Sequence, residues 1–329
     1  MNRPRAYGKY SAYFAPPPRP SCLPPPRTQI VPCPHQARHL LVSAATTQTT
    51  FGHAFNEEFE NSRAMEVQRQ QPIFALLRAG HEALFHLRPD DEAYVTARKA
   101  ELMPAASQAG IRVGIHVRHG DRHPLEFQYQ ESYIPLDRYT AAAHALISAT
   151  YNSSGHLVGH DMTTFALSSS LILASDDPEV YTSEEFHTTT TRAQERIALA
   201  SKSVLDAQAA DTSSNRPFVD ESIGWEGGFF PALFWTLGAT APTASAKIAD
   251  LAAKRELAPT ALALQLRELV GRTYLLDLKV LGEATDGVVC GVSAIGCRLL
   301  AVMMGWEKAI EKGRWRNVDG DFNWKGIAW

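Results

Sequence analysis

Short apolar runs recur along the chain, and three of them break abruptly into polar residues. Val113, Gly114, Ile115 and Val117, with Ile111 before them, form the first, which gives way to Arg118, His119, Gly120, Asp121, Arg122 and His123. The second, Ser170 to Ser175 (SLILAS), ends in Asp176-Asp177 before Pro178 opens a helix. The third, Gly287 to Cys290 (GVVC), leads through Gly291, Ser293 and Gly296 into a helix expected from about Cys297 to Lys312. Apolar runs of this length bounded by turn signals predict buried strands. Between and before them the period changes to that of helices. Gln71 to Leu87 sets Ile73, Leu76, Leu77, Ala83, Leu84 and Leu87 on one stripe, with Pro72 in the first turn. Further helices are expected from Asp90 to about Ser107, from Leu136 to Thr150, and from Ala244 to about Leu281 with interruptions near Pro259 and Gly271. The polar stretch from Thr188 to Asn215 is expected to be helical at its centre, Arg192 to Ala209. The aromatic segment Trp225 to Trp235 (WEGGFFPALFW) reads as core before it reads as a binding platform.

Strands alternating with helices, each strand ending in a polar loop, specify an α/β fold with a doubly wound parallel sheet. In such sheets ligands sit beyond the carboxyl ends of the strands. The glycine fingerprint GxGxxG follows none of the runs, which removes support for a dinucleotide fold of the dehydrogenase kind. Residues 1–36, with APPPRPSCLPPPR and VPCP, favour extended polyproline segments that build no core, so a disordered or surface-wrapping head is expected. Residues 37–109 are expected to be mainly helical, 110–312 to hold the sheet, and 313–329 to form a polar and aromatic tail without periodicity.

Composition narrows the chemistry. A formal net charge of -3 argues against a nucleic-acid binder that works through bulk positive charge, while leaving room for a local cationic pocket. Neither a run of about 18 apolar residues nor a hydrophobic stretch after the basic N-terminus is present, so no membrane span and no signal peptide are expected in this chain. Four cysteines fall as two pairs, Cys22 with Cys33 and Cys290 with Cys297, neither at CxxC metal spacing. For Cys290 and Cys297 a disulfide and two small buried thiols remain open alternatives.

Two chemistries fit the loop after the first run. Arg118 to Pro124 satisfies RHGxRxP, which resembles the signature of the histidine acid phosphatases, with His119 as nucleophile and two arginines on the phosphate. The only downstream His-Asp pair to serve as acid is His160-Asp161.

Taken with its upstream histidine, the same loop is His116-x-Arg118-x-x-Asp121-Arg122 followed by Glu126, which resembles motif I of the α1,6-fucosyltransferases and nodulation fucosyltransferases. Two more segments resemble that family in the same order: ILASDDPEVY (Ile172 to Tyr181) and LLDLKVLGEATDGVVCGVSAIGCR (Leu275 to Arg298). The resemblance implies the Rossmann-like, donor-binding half of a GT-B glycosyltransferase with a reduced N-terminal part. It further implies inverting, metal-independent transfer of fucose from GDP-fucose to a glycan or glycoprotein acceptor, and a Golgi or secretory-lumen location. Arg118 would then neutralise the leaving diphosphate with Arg122 beside it, Glu126 would be the base, and Asp277 and His116 would hold guanine. Asp121, Asp176 and Asp177 would orient the arginines, and Ser293 would contact the donor. Position 119 is histidine where that family carries a second arginine, and Ala294 and Ile295 replace a serine and a glutamine. A relative that binds a nucleotide sugar without turning it over is a third reading. Each residue also has a structural reading of its own: His116 as a core histidine, Asp176-Asp177 as a helix start.

Overall fold

Side chains alternate across the first strand, β1 (Arg112–Val117), and divide the molecule into two layers. Val113, Ile115 and Val117 face one side, where they join Leu146, Phe165 and Phe186 in a closed core. On the other side Gly114 sits so close to Leu281 and Thr285 that an added Cβ would lie 3.1 Å from each. The structure, a computed structural model, describes residues 10–18, 70–103, 110–119, 128–129, 132–154, 161–200, 223–225 and 261–326.

Two N-terminal helices, α1 (Gln71–Leu84) and α2 (Pro89–Leu102), precede β1. After it come α3 (Leu136–Ser154), α4 (Met162–Leu167), β2 (Ser170–Ser175), α5 (Pro178–Thr182), β3 (Thr190–Arg192), β4 (Ala198–Ala200) and β5 (Ile223–Trp225). The chain continues with α6 (Ala261–Ala284), β6 (Gly287–Cys290), α7 (Ile295–Met304), a wide π-type turn at Glu307–Glu311 and β7 (Trp315–Asn317). Five strands form one sheet in the order β3-β2-β1-β6-β7, and every pairing in it is parallel. Helices cover both faces, so the protein is an α/β, Rossmann-like molecule. One layer holds α3, α4 and α5; the other holds α1, α2, α6 and α7, closed by Trp315 and Trp324. The pair β4 and β5 forms a separate parallel two-stranded sheet. Among the described residues no helix is long and apolar enough to cross a membrane.

Several expectations need correction. The centre of the Thr188 to Asn215 stretch is not helical where it is described: Thr190–Arg192 pairs along β2 and Ala198–Ala200 pairs with β5. Pairing to an existing edge overrides a weak local helix preference, and the β-branched Thr190 and Thr191 suit a strand. Gly271 does not interrupt α6; it admits the Tyr13 ring, which would lie 2.7 Å from an added Cβ. The expected helix to Lys312 ends at Met304, where Gly305 takes φ +88° and turns the chain. Asp91, 1% exposed, ties α2 to α6 by accepting two hydrogen bonds from Arg272 at 2.9 and 2.7 Å. The proline-rich head to residue 36 and the Trp225 to Trp235 segment beyond β5 lie outside the described residues, apart from residues 10–18.

Candidate functional site

Neighbours in the sheet fix where a ligand belongs. From β1 the chain winds outward through β2 to β3, and from β6, on the other side of β1, it winds outward to β7. The order reverses between β1 and β6, and a crevice opens beyond the carboxyl ends at such a switch point. His116 of β1 is paired in register with Cys290 of β6 at that spot, and with Ala174 of β2 on its other side.

Past these strand ends, two adjacent residues of the β1 loop meet two adjacent acids of the β2 loop. The Arg118 guanidinium forms an ion pair with the Asp176 carboxylate, both half-buried. Asp176 also accepts the backbone N–H of His119 at 2.8 Å. His119 Nδ1 lies 3.0 Å from Asp177 Oδ2, and its ring stacks on Tyr133 with centroids 4.2 Å apart. The acids are themselves held. Asp177 N–H donates to Ser175 Oγ at 3.1 Å, and its Oδ1 accepts the Glu179 N–H at 2.9 Å as the cap of α5. Burial pushes the Asp176 carboxyl above its usual range, against the pull of the Arg118 guanidinium and the His119 N–H. Burial also acts upward on Asp177, but the His119 ring and the Glu179 N–H outweigh it and leave that carboxyl below its usual range.

Beneath this cluster lie residues of β1, α6 and α7. His116 is 3% exposed, and its Nδ1 has no hydrogen-bond partner among the described residues. Burial, helped by the nearby Arg118 charge, lowers its imidazole to about 3, so it is neutral at physiological pH. Its ring faces Tyr274 of α6 edge-on, with centroids 6.1 Å apart. Burial pushes the Tyr274 hydroxyl up to about 12, and its oxygen accepts the Gly296 N–H. Glycine is required there, because an added Cβ would lie 2.2 Å from that oxygen and 3.2 Å from the His116 ring. A disulfide between Cys290 and Cys297, both fully buried, staples the end of β6 to the first turn of α7. The disulfide resolves the alternative that the sequence left open for this pair.

Of the residues singled out by sequence, the structure brings His116, Arg118, Asp176 and Asp177 together at the strand ends. Ser293 lies half-buried in the turn after β6, and Asp277, 6% exposed, follows Tyr274 by three residues on α6. Asp121, Arg122 and Glu126 lie outside the described residues. Sequence reasoning missed Tyr274, took Gly296 only as part of a turn, and gave the tail no contact with the strand ends. In the tail, Asn317 Oδ1 accepts the Val292 N–H at 2.9 Å, and the buried Asp319 accepts the Gln128 N–H at 2.8 Å. The NVDGD run after Arg316 was the available signal, since Asn and Asp beside glycine make side-chain to backbone turns.

Among the described residues the phosphatase geometry is not assembled. Asp161 accepts the Thr164 N–H at 2.8 Å as the cap of α4, which leads into the amino end of β2. His119 lies past the carboxyl end of the sheet, roughly 20 Å of strand away. His160 lies outside the described residues. A cavity of about 290 Å³ opens between α1, α6 and α7, walled mainly by apolar side chains such as Leu77, Leu278 and Met303, and no member of the strand-end cluster lines it. No group of three or more His, Cys, Asp or Glu side chains among the described residues is spaced to hold a metal ion.

The chain matches no protein-family model and no curated protein.

Proposed function

We propose that the crevice beyond β1 and β6 binds a nucleoside diphosphate sugar, and that the protein is a GT-B-type, fucosyltransferase-like glycosyltransferase acting from GDP-fucose. The observation that carries this reading is the Arg118–Asp176 pair at the switch point of a parallel sheet. An arginine oriented by a carboxylate has its guanidinium plane fixed, and a fixed planar cation suits a diphosphate. In the reaction an acceptor hydroxyl attacks the anomeric carbon of the donor sugar. The bond from that carbon to the diphosphate oxygen breaks, and its electron pair leaves with GDP. Negative charge therefore grows next to Arg118, where a preorganised cation in a partly dry crevice is most effective.

Neutral His116 and the Tyr274–Gly296 contact shape the floor under the nucleotide, with Asp277 on the same helix to receive N–H donors of the guanine edge. The Cys290–Cys297 disulfide accords with an oxidising compartment such as the secretory lumen. Incubation with GDP-fucose and a panel of glycan acceptors tests the reading. The expected result is release of GDP matched by fucosylated acceptor, undiminished by chelator. Absence of any GDP release above the rate of buffer counts against it, and a requirement for added divalent cation counts against the arginine's role.

A further inference from the structure

We propose that His119, positioned by Asp177, is the group that takes the proton from the attacking hydroxyl, in place of a carboxylate on the β1 loop. The inference rests on the nucleotide-sugar reading and goes beyond it by assigning the base.

The ring of His119 is fixed at three points. Its backbone N–H is held by Asp176 at 2.8 Å, its Nδ1 faces Asp177 Oδ2 at 3.0 Å, and its face lies on Tyr133 at 4.2 Å between centroids, 24° from parallel. An ionised Asp177 accepts a hydrogen bond, which puts the ring proton on Nδ1 and leaves Nε2 with its lone pair. That Nε2 is buried and has no hydrogen-bond partner among the described residues. A buried acceptor without a partner is costly, and a substrate hydroxyl would supply the missing donor. The neighbouring residue, Arg118, faces the leaving diphosphate in the proposed reaction. Adjacent acids just after β2 therefore hold adjacent residues just after β1, Asp176 the cation and Asp177 the base.

The step balances. The bond between acceptor oxygen and anomeric carbon forms, the bond to diphosphate breaks, and the hydroxyl proton moves to Nε2. The resulting imidazolium is stabilised by the Asp177 carboxylate until the proton passes to water. Asp177 acts through His119 and is a positioning residue.

The test combines three measurements on the full chain. GDP affinity by calorimetry checks the underlying reading. Nitrogen-15 spectra of histidine-labelled protein, with the His119 signals assigned by their loss in His119→Gln, report the tautomer. GDP release from GDP-fucose reports turnover. We expect His119 with its proton on Nδ1, moved toward Nε2 in Asp177→Asn. Turnover should fall about 10²–10⁴-fold in His119→Gln while GDP affinity holds within about two-fold. An Nε2-protonated His119 in the unaltered protein overturns the proposal, as does turnover that survives His119→Gln and is lost in Glu126→Gln. A folded chain that fails to bind GDP retires the nucleotide-sugar reading and this proposal together. Intact GDP binding with the wrong tautomer retires this proposal alone.

Discussion

His116 carries an imidazole into the interior of the sheet, and its cost there is measurable. Its folded value is about 3 against about 6.5 in an unfolded chain. Between those values the unfolded chain binds a proton that the folded chain does not, so the residue's share of stability falls as pH drops through that window. Urea unfolding from pH 7 to pH 3 should therefore show a shallower acid loss in His116→Gln than in the unaltered chain, by an amount on the order of a few kcal/mol. Asp176, raised by burial, works in the opposite direction and is common to both proteins. Parallel curves would show that His116 is not held neutral. At this scale the sequence was informative where an apolar run ends in charge: Arg118, Asp176 and Asp177 are visible because nothing in a buried strand calls for them. Tyr274 was not, since a tyrosine on an apolar helical stripe looks like any core residue until its hydroxyl is seen to take the Gly296 N–H.

At the scale of elements, the joint between β6 and α7 sets the position of the crevice floor. Cys290 and Cys297, seven residues apart, lock it, and closing so short a loop is worth about 2–3 kcal/mol through the unfolded state. Cys290→Ala with Cys297→Ala should lower unfolding free energy by about that amount and reduce turnover, because Gly296 and the turn carrying Ser293 lose their anchor. Denaturant titration of the double variant checks this, and unchanged stability would mean that packing alone holds the joint. The long elements and the buried strands were legible: β2 and β6 coincide with their apolar runs, Ser170–Ser175 and Gly287–Cys290. The edge strands β3 and β7 were not, for a physical reason. Three residues are too few to show a period, and their strand state comes from hydrogen bonding to a neighbour already in place.

At the scale of the whole molecule, the reversal of strand order gives the local chemistry a place. Arg118, His119, Asp176 and Asp177 scattered over a surface would make one ordinary ion pair and one hydrogen bond, each worth little. Gathered at the switch point of a parallel sheet, over neutral His116 and Tyr274, they form a notch in which the Arg118 guanidinium and the His119 ring lie side by side. Helix periodicity and the abrupt strand ends were enough to read this class of fold from sequence. The strand order was not, because nothing local tells β6 to lie against β1 and not at an edge. The central claim is that this notch binds a nucleoside diphosphate through Arg118. A calorimetric titration of the folded chain with GDP, run beside Arg118→Ala, tests it most directly. The account predicts saturable one-to-one binding that weakens about 10–100-fold in the variant. Heats of dilution alone from a folded chain, or equal affinity in both proteins, would contradict it.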